Sequence, residues 1–102
     1  MNSQTRRIKE SPIYQGADEQ IVYTITTTPW DSSPTSPAVV LKNSAGTDVS
    51  GTSLTGSPSV NGDVITTPVV HSLTIGEIYR LEIKFTVGSN IYEPWTEIIG
   101  QE

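Results

Sequence analysis

The 102-residue sequence contains no cysteine, and only one histidine, one methionine and one phenylalanine. Without cysteine there is no disulfide, thiol nucleophile, thiolate zinc site or iron–sulfur cluster, and the redox compartment stays undetermined. Long apolar runs are missing too. The longest aliphatic stretch is Ala38-Val39-Val40-Leu41, far short of the roughly 20 residues a membrane-spanning helix needs. No apolar run follows the charged residues near Met1, so no secretory signal is expected. Helical periodicity is absent: no window of eleven residues carries apolar side chains at i, i+3, i+4 and i+7 without an interrupting Pro, Gly or β-branched run. Essentially no helix is expected. No glycine-rich phosphate cradle opens a helix and no G-x-S-x-G elbow occurs, which excludes the usual nucleotide sites and the commonest serine-hydrolase frame.

Positive charge is scarce after the first residues. Six basic residues face eleven acidic ones, and three of the six, Arg6, Arg7 and Lys9, stand at the start. The rest of the chain is therefore near −8 and would repel a phosphate backbone, so nucleic-acid binding is not expected. The basic segment within residues 1 to 8 has two readings: a solvated strand whose charges blunt a sheet edge, or a flexible arm that docks on an acidic neighbour.

What is present is the texture of an all-β domain. Ser and Thr supply 26 residues, and Gly and Pro another 15, in clusters between β-branched segments. At 11.0 kDa one domain over residues 1–102 is expected. Glu19 to Thr28 alternates, with Ile21, Tyr23 and Ile25 on one side. Pro29, Pro34 and Pro37 mark a loop, since proline lacks the backbone donor of a ladder. Ala38 to Lys42, the turn Asn43-Ser44-Ala45-Gly46 and Thr47 to Val49 read as a hairpin. Ser50 to Pro58 reads as an irregular crossing that pins Leu54. Asn61-Gly62 between Val60 and Val64 is the strongest hairpin signal, as a type I′ turn, and Pro68 should interrupt or edge the strand that follows.

Ile78 to Val87 alternates longest. Tyr79, Leu81, Ile83, Phe85 and Val87 share one face, making this the central core strand. Ile91 to Ile99 should return against it through an even turn, since an odd one would bury Glu93 opposite Phe85. Val87 then faces Tyr92 and Phe85 faces Pro94. Trp95 falls on the outer face, opposite Lys84 and flanked by Glu93 and Glu97. With Trp30 in the proline-rich loop, these residues form the candidate interaction surface, aromatic residues being enriched at interface cores. The alternative placements are Trp30 capping the end of the domain and Trp95 turned inward by a bulge at Pro94.

Catalytic and metal chemistry find little footing. His71 is the only imidazole, and no motif assigns it an activated nucleophile. Asp18, Glu19, Asp31, Asp48 and Asp63 lack the spacing of a calcium loop, so turn and cap roles are expected. The reading is non-enzymatic, with no cofactor, no metal and no small-molecule substrate.

Leu73-Thr74-Ile75-Gly76-Glu77-Ile78-Tyr79 has the form L-x-x-G-x-x-Y directly before the long strand. It resembles the corner between the fifth and sixth strands of immunoglobulin-like and fibronectin-III-like domains. The resemblance gives Leu73, Gly76 and Tyr79 a structural role, with the Tyr79 hydroxyl bonding back to upstream backbone. About seven strands with turn signals every 8 to 12 residues then suggest an antiparallel Greek-key sandwich. The segments Asp18 to Ile25, Asn61 to Val64 and Leu73 to Phe85 also resemble short immunoglobulin-like structural proteins encoded in tailed bacteriophage and prophage gene clusters. That resemblance implies a virion-associated protein, present in host cytoplasm during assembly, that binds capsid, connector or tail subunits or a second copy of itself. The alternative expectation is a carbohydrate-binding or adhesive module of a cell surface, with Trp30, Trp95 and Tyr92 as stacking groups.

Overall fold

The computed structural model describes Arg6, Ile8 and residues 11–102, so most of the expected basic arm, Arg7 included, and Lys9 lie outside the described residues. The chain is mostly β, in sandwich-like layers around one apolar core. The main sheet orders β1 (Ile13–Gly16), β10 (Trp95–Gln101), β8 (Ile78–Val87) and β3 (Thr35–Lys42), with β9 (Asn90–Tyr92) also pairing β8. Opposite it, β2 (Thr24–Thr26), β6 (Val64–Thr66) and β5 (Ser59–Asn61) form a three-stranded sheet. There β4 (Leu54–Thr55) pairs β7 (Val69–Val70).

Strict alternation makes β8 the centre. Tyr79, Leu81, Ile83 and Phe85 are buried, whereas Ile78, Arg80 and Lys84 are exposed. Those inward side chains meet Leu41 and Ile98 of their own sheet and Ile25, Ile65 and Val70 of the other layer. Phe85 is fully buried and stacks on Tyr92, ring centroids 5.4 Å apart.

Several sequence expectations are corrected. Among the described residues ten strands are present where about seven were expected, because runs read as continuous are interrupted. The ladder of Glu19 to Thr28 shrinks to Thr24–Thr26 and a bridge from Ile21 to Val70, although its alternation of burial holds. β3 begins inside the proline-rich loop, at Thr35; as a sheet edge it tolerates Pro37 beside a bulge. Ser50–Ser53 forms one helical turn. The pairing is not wholly antiparallel, since β1 runs parallel to β10.

Both tight hairpins differ from expectation in their turn. Phe85 faces Tyr92 and Val87 faces Asn90, leaving only Gly88 and Ser89 in the connection. The turn is even, as expected, but two residues shorter than the pairing of Val87 with Tyr92 required. Trp95 therefore faces Glu82 rather than Lys84. Likewise Asn61 pairs Val64, so the turn residues are Gly62-Asp63 rather than Asn61-Gly62. In both turns the glycine, Gly88 or Gly62, takes a φ of 61° at the first central position, the pattern of a type II′ turn.

Candidate interaction surface

Because paired residues of neighbouring strands share a face, the register of the main sheet writes out its outer surface row by row. Tyr14, Ile99 and Ile78 stand side by side on β1, β10 and β8. Next come Glu97, Arg80 and Lys42, then Trp95, Glu82 and Val40. The register is unchanged on the far side of Pro94, whose carbonyl accepts the Ile83 N–H, so Glu93 stands across from Lys84.

The first row is apolar and open to solvent: Tyr14 is 59% and Ile78 46% exposed, with Ile99 partly so. Single exposed apolar residues are ordinary, but a contiguous row is the usual mark of a contact surface. Below it the Arg80 guanidinium lies 4.2 Å from the centre of the Trp95 ring, near enough for a cation–π attraction. Arg80 also reaches Glu82 at 3.0 Å, and Lys42 reaches the same carboxylate at 3.5 Å. Trp95 is thus fixed in orientation on the outer face. Its backbone is held from the N-terminal side: its N–H donates to the Arg6 carbonyl, and the Ile8 N–H donates to its carbonyl.

Of the sequence-selected residues, Trp95, Glu93, Glu97 and Lys84 come together on this face. Trp30 does not. It is only 8% exposed and belongs to the core. The N–H groups of Trp30 and Asp31 both donate to the Thr27 carbonyl, turning the ring inward. Asp31 in turn accepts the Tyr92 hydroxyl at 3.0 Å. Tyr92 is equally buried, and that burial, followed by the bond to Asp31, pushes its hydroxyl up from the usual tyrosine range. Neither ring is available as a stacking platform. Tyr14, Ile78 and Ile99 were not singled out from sequence; the parity of β8 already placed Ile78 among its outward residues, but nothing in the sequence announced the parallel pairing that brings Tyr14 alongside.

At the corner, the Tyr79 hydroxyl accepts the Thr74 N–H at 2.8 Å, and Gly76 adopts a φ of 85°. Leu73 is buried in the core. Gly100 closes the corner from the last strand: its carbonyl accepts the Gly76 N–H and its N–H donates to the Glu77 carbonyl. A Cβ at Gly100 would overlap the Thr74 carbonyl, so the backbones approach more closely than any other residue allows. Beside the corner, Asn43, Thr52, Ser53, Glu77 and Tyr79 line a shallow polar cleft of about 320 Å³.

His71 lies between two hydroxyls, its Nε2 2.8 Å from Thr55 Oγ1 and its Nδ1 2.8 Å from Ser72 Oγ. In a serine–histidine–aspartate triad a carboxylate on the second nitrogen stabilises the imidazolium; here that neighbour is a neutral hydroxyl. Four of the five carboxylates considered for cation binding accept backbone N–H groups in loops. Glu19 accepts the Gly16 N–H, Asp31 that of Ser32, Asp48 that of Ser50 and Asp63 that of Ser33. Among the described residues no three histidines, aspartates or glutamates converge as metal ligands, and no helix is long and apolar enough to cross a membrane. No protein-family model, curated protein or solved structure matches this chain.

Proposed function

We propose that the chain is a non-enzymatic structural or assembly protein of a tailed phage or prophage, which works by holding protein subunits against the outer face of its five-stranded sheet. The observation that carries the reading is the contiguous exposed row Tyr14, Ile99 and Ile78 beside the Arg80–Trp95 stack. It combines the apolar area and the oriented aromatic–arginine pair that protein interfaces favour. The biological setting rests on the resemblance of Asp18 to Ile25, Asn61 to Val64 and Leu73 to Phe85 to phage-encoded immunoglobulin-like proteins. The corresponding Greek-key topology is part of the proposal. It is supported by the main-sheet order β1-β10-β8-β3 against β2-β6-β5, by the parallel first-to-last strand pairing, and by the Tyr79 hydroxyl bonded back to Thr74. A sugar-binding module would need aromatic platforms, and burial of Trp30 and Tyr92 removes two of the three rings it would use.

The test is co-expression with the products of the flanking genes, followed by affinity purification of wild type and of Trp95→Ala. Retention of capsid, connector or tail subunits by wild type and their loss from the variant is the expected result. Retention of none, or binding of soluble glycans by the folded protein, overturns the reading.

A further inference from the structure

We propose that the outer face of the five-stranded sheet is a homodimer interface, its two-fold axis lying parallel to the strands and between β8 and β10. The inference rests on the binding role proposed above and names the first occupant of that face. Its basis is charge. Among the described residues the face carries Lys42, Arg80 and Lys84 against Glu82, Glu93 and Glu97, a balanced set on a chain of net charge −5. A partner of one charge sign gains nothing from such a surface. A second copy does, because the charges are sorted by strand. On β8, Arg80 and Lys84 flank Glu82, whereas along β10 and the segment that leads into it Glu97 and Glu93 flank Trp95.

Two in-plane axes follow the natural directions of a sheet. An axis across the strands, through the Trp95–Glu82 row, lays β8 over β8 of the second copy, so Arg80 meets Lys84 and Glu97 meets Glu93. Both contacts are repulsive. An axis along the strands lays β8 over β10 instead. Arg80 then meets Glu97, Lys84 meets Glu93, and each contact occurs twice by symmetry. The same operation lays Ile78 over Ile99 of the second copy and Ile99 over its Ile78, burying apolar surface against apolar surface, while Tyr14 on β1 falls over the β3 side of that copy. Facing sheets stack about 10 Å apart, a gap that pairs of long side chains span. They cross at about 30°, and rotation about the central Trp95–Glu82 row keeps the charged rows on either side within reach. Strands about 4.8 Å apart, rising about 3.3 Å per residue and running four residues in β1, ten in β9 and β10 together, ten in β8 and eight in β3, present about 500 Å² per copy. That is the low end for a specific interface, so the dimer should be reversible.

Sedimentation equilibrium over a wide concentration range tests this directly. Wild type is expected to show a monomer–dimer equilibrium. Lys84→Glu alone, or Glu93→Lys alone, should weaken it by about tenfold or more, each change placing like charges opposite one another twice. Mixing the two single variants should restore dimers between them, and so should the double variant, because each charge again meets its opposite. Both positions are exposed, and thermal unfolding of each variant verifies the fold. Ile78→Glu is an independent disruption at the apolar row and should also give monomer. A wild type that stays monomeric, a dimer insensitive to the single changes, or singles that fail to rescue one another overturns the proposal. A monomer that still retains a flanking-gene subunit overturns the dimer alone, and a monomer that retains none overturns the binding role as well.

Discussion

β8 runs ten residues without interruption and is hydrogen-bonded on both sides, whereas among the described residues no strand of the opposite layer exceeds three. The difference follows from sequence. β8 contains neither Gly nor Pro, while Gly56, Pro58 and Pro68 cut the other layer into pieces. Side chains stand in where the short ladders stop. The Tyr23 N–H donates to Thr67 Oγ1 at 3.0 Å, and the fully buried Gln15 reaches across from β1 to the Val70 carbonyl at 2.8 Å. The Tyr23 hydroxyl closes the link by donating to Gln15 at 2.7 Å. Burial, and then the nearby Glu19, raises that hydroxyl above its usual range, so it stays protonated and able to donate. One layer is thus held by packing along a continuous ladder, and the other by specific polar ties that make up for a broken one.

If that contrast is right, the largest loss should come from the core under the long strand. Phe85→Ala removes a fully buried ring stacked on Tyr92 and should cost about 3–5 kcal/mol, read by denaturant unfolding. Gln15→Leu keeps bulk but deletes the cross-layer tie, leaving the Tyr23 hydroxyl half-buried without its acceptor. It should cost about 2 kcal/mol, and hydrogen exchange should quicken at the amides of Ile21 and Val70 before those of β8. A loss larger than that of Phe85→Ala would reverse the comparison. Tyr79→Phe removes the acceptor of the Thr74 N–H and should cost about 1 kcal/mol while leaving the β8 ladder protected.

The smallest expected effect is one of pH. Hydrogen bonds from the hydroxyl and the N–H of Ser44 hold Glu77 below the usual carboxylate range. A folded-state value below the unfolded one means that this contribution is fully present above the unfolded carboxylate value and fades as the pH falls through the folded one. Wild type should therefore lose stability on acidification by slightly more than Glu77→Gln. Parallel acid-titration curves for the two would remove Glu77 from the account of the corner.

The long ladder was also the part most legible in the sequence. Five apolar residues at strict period two fix the faces of β8, and avoiding a buried Glu93 fixes the parity of its partner. Parity does not fix turn length, so Trp95 arrives opposite Glu82 instead of Lys84. β1 left no trace, because Ile13–Gly16 is four residues of mixed character beside Pro12, and its pairing depends on a strand at the far end of the chain. The exposed apolar row was hidden for the same reason. It spans three strands and belongs to none of their patterns. Sequence left Trp30 between the loop surface and a place capping the domain, because a local turn through the Thr27 carbonyl, rather than any periodicity, decides where it points.

The parallel pairing of β1 with β10 has a mechanical meaning. Ile13 to Gly16 lie in register with Ile98 to Gln101, and beyond them the Ala17 N–H donates to the Gln101 carbonyl. Tension applied to the chain before β1 and after β10 pulls these two strands lengthwise past each other, loading the bonds of that ladder together. A hairpin such as β5–β6, pulled from its open end, would surrender its bonds one after another. Stretched end to end, the molecule should therefore give way at a single high force, because rupture under load follows the barrier to breaking the whole strand pair at once.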